Sequence, residues 1–96
     1  MTDEKLKESW AVTLRHLAAS RYYLPKLLEG EALEASRQME DCLHHNELGL
    51  ALDEAEALGE LVESNARFWE ELRLAAQNMG MKERAAKYAR RLADLA

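Results

Sequence analysis

Leu and Ala dominate this chain, and they recur in steps of three and four. Seventeen Leu and 16 Ala stand against two Val, one Phe and no Ile in 96 residues. Straight-chain residues keep their rotamer freedom in a helix, whereas strands favour β-branched and aromatic side chains, so the chain is constrained to be all-α. Four Gly and one Pro argue against a turn-rich β fold and against disorder. Ninety-six residues are enough for one modest core, so residues 1–96 are expected to form a single helical domain.

The apolar spacing divides the chain into four or five helices. The first is expected to be capped by Thr2, to bury Leu6, Trp10, Thr13 or Leu14, and Leu17, and to end near Tyr22 or Tyr23 because Pro25 disfavours helical geometry at Leu24. The second spans about Glu31 to His44, with the stripe Leu28, Ala32, Ala35 or Ser36, Met39, and Cys42 with Leu43. Asn46 reads as the N-cap of a third helix, Glu47 to Glu63, whose stripe is Leu48, Ala51, Leu52, Ala55, Leu58, Gly59 and Val62. Gly59 lies on that stripe, where a small residue points to close approach by a neighbouring helix. Ser64-Asn65 caps a fourth helix, Ala66 to Met79, carrying Phe68, Trp69, Leu72, Ala75 and Ala76, and Gly80 suits a left-handed terminator with Met81 beside it. The fifth, about Lys82 to Ala93, is expected to bury Ala85, Tyr88, Ala89 and Leu92, with Leu95 as a further inward position. Connections this short favour antiparallel neighbours, hence a compact antiparallel bundle.

Charge is concentrated. The net charge of −5 conceals a segment, residues 29–63, with eleven acids and one base, Arg37, flanked by positive ends. That balance excludes general nucleic-acid binding, which needs excess Lys and Arg. The third helix carries Glu47, Asp53, Glu54, Glu56, Glu60 and Glu63 with no base. Asp53, Glu56, Glu60 and Glu63 follow helical spacing and form one acidic ridge, although like charges so placed cost roughly 0.2–0.5 kcal/mol per pair. Two readings follow. The ridge is solvated or paired with the basic last helix, or it recognises a basic partner protein, whose association such a field would accelerate.

Catalytic readings find less support. Asp41, Cys42, His44, His45 and Glu47 invite a metal, but no second ligand pair exists to complete a site of three or four donors. Glu60-x-x-Glu63, with Glu56, resembles half of the Mg2+ site of all-α nucleotide pyrophosphatases, while Glu70-Glu71 is a poor second half. Ser9, Ser20, Ser36 and Ser64 lack a nucleophile elbow. No cofactor is expected. The final helix offers Lys82, Arg84, Lys87, Arg90 and Arg91, a pattern suited to RNA or anionic lipid, or equally to docking on the acidic segment of its own or a second subunit. A homodimer is therefore a further expectation. Met1-Thr2-Asp3-Glu4-Lys5 has no apolar segment behind a basic start, and no apolar run approaches the roughly 20 residues that span a bilayer. A cytoplasmic protein with Cys42 as a free thiol is expected.

The stretch His45-Asn46-Glu47-Leu48-Gly49-Leu50-Ala51-Leu52, then Phe68-Trp69 and Ala75-Ala76-Gln77-Asn78-Met79-Gly80-Met81, resembles the small helical bacterial immunity proteins of the MafI type. The resemblance covers residues 44–81; the basic last helix extends past where such chains often end. It implies a non-enzymatic protein that neutralises a cognate secreted toxin, commonly a nuclease, inside the producing cell. On that reading Asp53, Glu56, Glu60 and Glu63 contact the toxin, with Glu47 and Glu54 at the rim. The alternative is a structural or adaptor bundle that works by self-association or by binding a partner helix.

Overall fold

The computed structural model describes residues 2–95, with side chains from Lys5 onward, so the cap expected at Thr2 lies outside the described side chains. It is all-α. The helices are α1 (Thr2–Ser20), α2 (Gly30–His44), α3 (Leu48–Leu61), α4 (Ala66–Asn78) and α5 (Lys82–Leu95), and a 3-10 turn, Arg21–Tyr23, ends the path of α1. Leu24 is extended, at φ −105° and ψ 160°, as the following Pro25 requires. α2 packs on α3, α4 pairs with α5, and α1 lies along α4.

One core joins these elements. Leu17 of α1, Met39 of α2, Leu52 and Leu58 of α3, Phe68 and Leu72 of α4, and Tyr88 of α5 are fully buried. The expected stripes of α3 and α4 are the buried ones, with Val62 and Met79 half-buried at their ends. α1 departs from expectation. Thr13, Leu17 and Ser20 are buried, but Leu6 and Trp10, expected in the core, are 47% and 40% exposed. The stripe continues along the helix, but its first turns only line an open groove together with Leu48, Gly49, Met79 and Met81. In α5 only Tyr88 is fully buried among the described residues, and Ala89 and Leu95, expected inward, are exposed.

Two junctions are closed by left-handed residues. Gly80, at φ +74°, terminates α4 as expected: its N–H donates to Gln77 O at 3.1 Å and that of Met81 to Ala76 O at 2.9 Å. Asn46, expected to cap α3, instead terminates α2. It adopts φ +57°, its N–H donates to Leu43 O at 3.1 Å, and the Glu47 N–H donates to Cys42 O at 2.8 Å. Asn tolerates the left-handed region better than most residues, and that property outweighs its capping tendency here. Glu47 occupies the N-cap position of α3 without a side-chain capping bond. The Ser64-Asn65 pair divides its work: Asn65 Oδ1 accepts from the Phe68 N–H at 3.0 Å and caps α4, while Ser64 Oγ donates to Gly59 O at 3.2 Å and closes α3.

Gly59 is where α3 meets α4. A Cβ placed there would lie 2.5 Å from Phe68 Cε2 and 2.8 Å from Trp69 Cζ2, so the two rings rest against bare backbone. At Gly49, by contrast, a Cβ would meet only Met81 Cε at 3.8 Å, an ordinary contact. Two substitutions separate propensity from packing. Gly49→Ala should gain up to about 1 kcal/mol from helix propensity. Gly59→Ala should lose stability, because overpacking of about 1–3 kcal/mol exceeds the same gain. Chemical denaturation of both variants measures this; equal stabilisation by the two would contradict the packing role given to Gly59.

Candidate functional site

The acidic ridge of α3 faces α5. Asp53 Oδ1 accepts from Arg84 Nη1 at 2.6 Å, Glu56 Oε2 from Lys87 Nζ at 2.9 Å, and Glu60 Oε1 from Arg91 Nη1 at 2.8 Å. Each of these pairs is 31 residues apart, so α3 and α5 run in the same direction at constant register, with α4 connecting them. The 3.6-residue period places both the acids and the bases on one face of their helices, which is why a single register satisfies all three rungs.

Glu56 is the hub. It also accepts from the Tyr88 hydroxyl at 2.6 Å and from Arg84 Nη2 at 3.3 Å. Arg84 in turn donates to Tyr88 Oη at 2.9 Å. Burial pushes the Glu56 carboxyl upward, but hydrogen bonds from Tyr88 and Lys87, with the charges of Lys87 and Arg84, outweigh it and hold the group below its ordinary value. Burial, reinforced by the bond to Glu56, raises the Tyr88 phenol, which stays protonated. Arg91 lies 4.6 Å above the centre of the Trp69 ring. The outer rungs are only half-covered, with Asp53 58% and Glu60 47% exposed, and such pairs contribute about 0–1 kcal/mol each.

The remaining expected site residues are placed differently. α3 ends at Leu61, so Glu63 leaves the ridge and lies in the linker to α4, lining a groove with Tyr22, Tyr23 and Leu95. Glu47 and Glu54, expected at the rim, are among the carboxylates around Cys42. Partial burial, followed by the charges of Glu47, Glu54, Asp41 and Asp53, raises that thiol and keeps it protonated. Among the described residues Glu47, Glu54 and Glu63 form no ion pair. The structure thus separates carboxylates engaged by α5 (Asp53, Glu56, Glu60) from free ones (Glu47, Glu54, Glu63).

The other constellations resolve into structural contacts. His45 Nδ1 is 2.8 Å from Asp41 O, and this bond, with the Asp41 charge, raises the imidazole. Glu70 pairs with Arg73, and Glu71 with His16 Nδ1 at 2.7 Å. No group of three or more His, Cys, Asp or Glu positioned to hold a metal occurs among the described residues. Ser20 Oγ donates to Leu17 O at 2.6 Å, within its own helix. No described helix is long and apolar enough to cross a membrane. Two contacts between α1 and α4 carried no signal in the sequence: His16 with Glu71, and Asn78 Nδ2 with Ser9 O and Thr13 Oγ1, both at 2.7 Å. Comparison with protein-family models, with curated proteins and with solved structures finds no match.

Because the folded-state value of Glu56 is depressed, its contribution to stability is present at neutral pH. It declines as pH falls below the ordinary carboxyl value of 4.5 and through the lower folded one. Glu56→Gln should therefore lower stability at pH 7 and flatten the acid side of the stability–pH curve. Thermal melts of both proteins across acid pH measure this; parallel curves would remove Glu56 from its central role.

Proposed function

We propose that the protein is a stoichiometric binder of a basic protein, of the toxin-neutralising kind that the resemblance to MafI-type immunity proteins implies, acting in the cytoplasm without catalysis. One observation carries this reading: acidic charge is left over after the fold has used what it needs. Of the acids between residues 29 and 63, α5 engages Asp53, Glu56 and Glu60, and Arg21 engages Glu40 at 2.8 Å. Asp41 lies 3.6 Å from His45 Nδ1, while Glu47 and Glu54 remain as an exposed or half-exposed acidic surface around the α2–α3 junction. Like-signed carboxylates held together repel one another, and a basic partner relieves that repulsion on binding. A nuclease suits the surface, because its substrate cleft is basic. Occluding that cleft requires no chemistry from the inhibitor.

This division of the carboxylates moves the proposed contact. Glu47 and Glu54 take the central role, Glu63 is a further free contact, and Asp53, Glu56 and Glu60 act through the bundle unless α5 is displaced. Glu47→Lys with Glu54→Lys should leave the melting temperature within a few degrees of wild type while abolishing protection against the toxin encoded beside this chain in its host. Full protection by the double variant, or the absence of any neighbouring toxin that the wild type neutralises, would refute the proposal.

A second reading, an adaptor bundle that self-associates, is favoured by the exposed Leu6 and Trp10 beside a groove of about 520 Å³. Sedimentation across a wide concentration range separates the two: a monomer throughout excludes self-association.

A further inference from the structure

The ridge of α3 already has an occupant, α5, and the two helices meet through polar side-chain tips. α5 is 14 residues long, yet Tyr88 is its one fully buried side chain among those described. It packs on α4 along its length but reaches α3 through the tips of Arg84, Lys87, Tyr88 and Arg91. Asp53, Glu60, Lys87 and Arg91 are each 40% exposed or more in those pairs, so dissolved ions compete for them. The helix is joined to the rest of the bundle by one short connection, a left-handed turn at Gly80 (φ +74°) that ends α4 and lets α5 begin as a separate helix. A helix fastened to one of its two neighbours mainly by solvent-facing polar pairs fits a segment that opens below the global unfolding free energy.

We propose that α5 is a releasable strap. It opens as a unit while α1–α4 remain folded, and opening uncovers Asp53, Glu56, Glu60 and the face of Trp69 beneath Arg91. The seat it vacates fits a basic amphipathic helix with cations at positions i, i+3 and i+7 and an aromatic hydroxyl at i+4, the pattern of Arg84, Lys87, Arg91 and Tyr88. A basic partner would then compete with α5 for the same carboxylates, so the strap sets how much of the acidic surface is available. The identity of that partner rests on the binding function proposed above; the opening of the strap does not.

Two measurements on the full chain test this. Hydrogen exchange followed by mass spectrometry should show the amides of residues 82–95 exchanging at least tenfold faster in about 1 M salt, where the Debye length is near 3 Å, while those of α3 and α4 are unchanged. Exchange of α5 only together with the rest of the bundle, at either salt concentration, overturns the proposal. A labelled synthetic peptide with the sequence of residues 82–95 should bind the full-length triple variant R84Q/K87Q/R91Q at least tenfold more tightly than wild type. Equal binding to both, or binding to neither, overturns the idea that the seat can be exchanged. Should the triple variant not fold, the exchange experiment on the wild type decides alone. Loss of the toxin-protection reading would leave both results standing, whereas a rigid α5 in a protective protein would sink the strap alone.

Discussion

The contact between Trp69 and the bare backbone of Gly59 sets the positions of three helices. Indole atoms Cζ2 and Cη2 meet α3 at Gly59 beside Phe68 Cε2, the Phe68 and Trp69 rings pack edge to face at 5.2 Å between centroids, and the Tyr88 ring of α5 lies 5.8 Å from that of Trp69. α4 can approach α3 this closely only because residue 59 has no side chain. α5, paired with α4, is thereby placed where Arg84, Lys87 and Arg91 meet Asp53, Glu56 and Glu60. The magnitudes indicate which interaction leads. Burying an aromatic side chain contributes roughly 1.5–3 kcal/mol, whereas a half-exposed ion pair contributes about 0–1 kcal/mol. Aromatic packing fixes the register, and the charge ladder follows from it.

The same arrangement accounts for an acidic helix that breaks local rules. Like charges at helical spacing, with Glu60 near the negative end of the α3 dipole, would weaken an isolated helix. In the folded chain each of the three ridge carboxylates faces a cation, and Glu56 also accepts the Tyr88 hydroxyl. That buried hydroxyl needs a partner, and a carboxylate already held ionised by neighbouring bases is a strong acceptor. The ridge is thus partly a structural necessity, and the −10 of residues 29–63 exceeds what that necessity explains.

The stripes of α3 and α4 are legible because one face of each helix is buried from Leu48 to Gly59 and from Phe68 to Ala76, so periodicity and burial coincide. α1 shows the limit of that signal. Leu6 and Trp10 continue the same stripe as Leu17, but periodicity does not reveal where a neighbouring helix stops. Asn46 shows another limit, since one residue type serves both as an N-cap and as a left-handed terminator. Spacing alone places Glu63 on the ridge, but the helix ends before it because Val62 turns to extended geometry at φ −128° and ψ 163°. Pairing between the acidic segment and the basic last helix was foreseeable from charge. Its register was not, since the constant 31-residue offset comes from the helix–helix geometry around Trp69.

Engaged and free carboxylates differ in the range over which they act. A carboxylate 2.6–2.9 Å from its cation forms a dipole with it, whose field falls off faster than that of a single charge. Asp53, Glu56 and Glu60 therefore add little to the attraction of a distant basic protein. Glu47, Glu54 and Glu63 lack such neighbours among the described residues and act out to the screening length, about 8 Å at physiological salt. Long-range steering then belongs to the α2–α3 junction and the α3–α4 linker, and the ridge contributes only once a partner is close enough to compete with α5. A partner that does compete inherits a geometry already tested by the protein's own helix, with Glu56 able to accept from a hydroxyl and two bases at once.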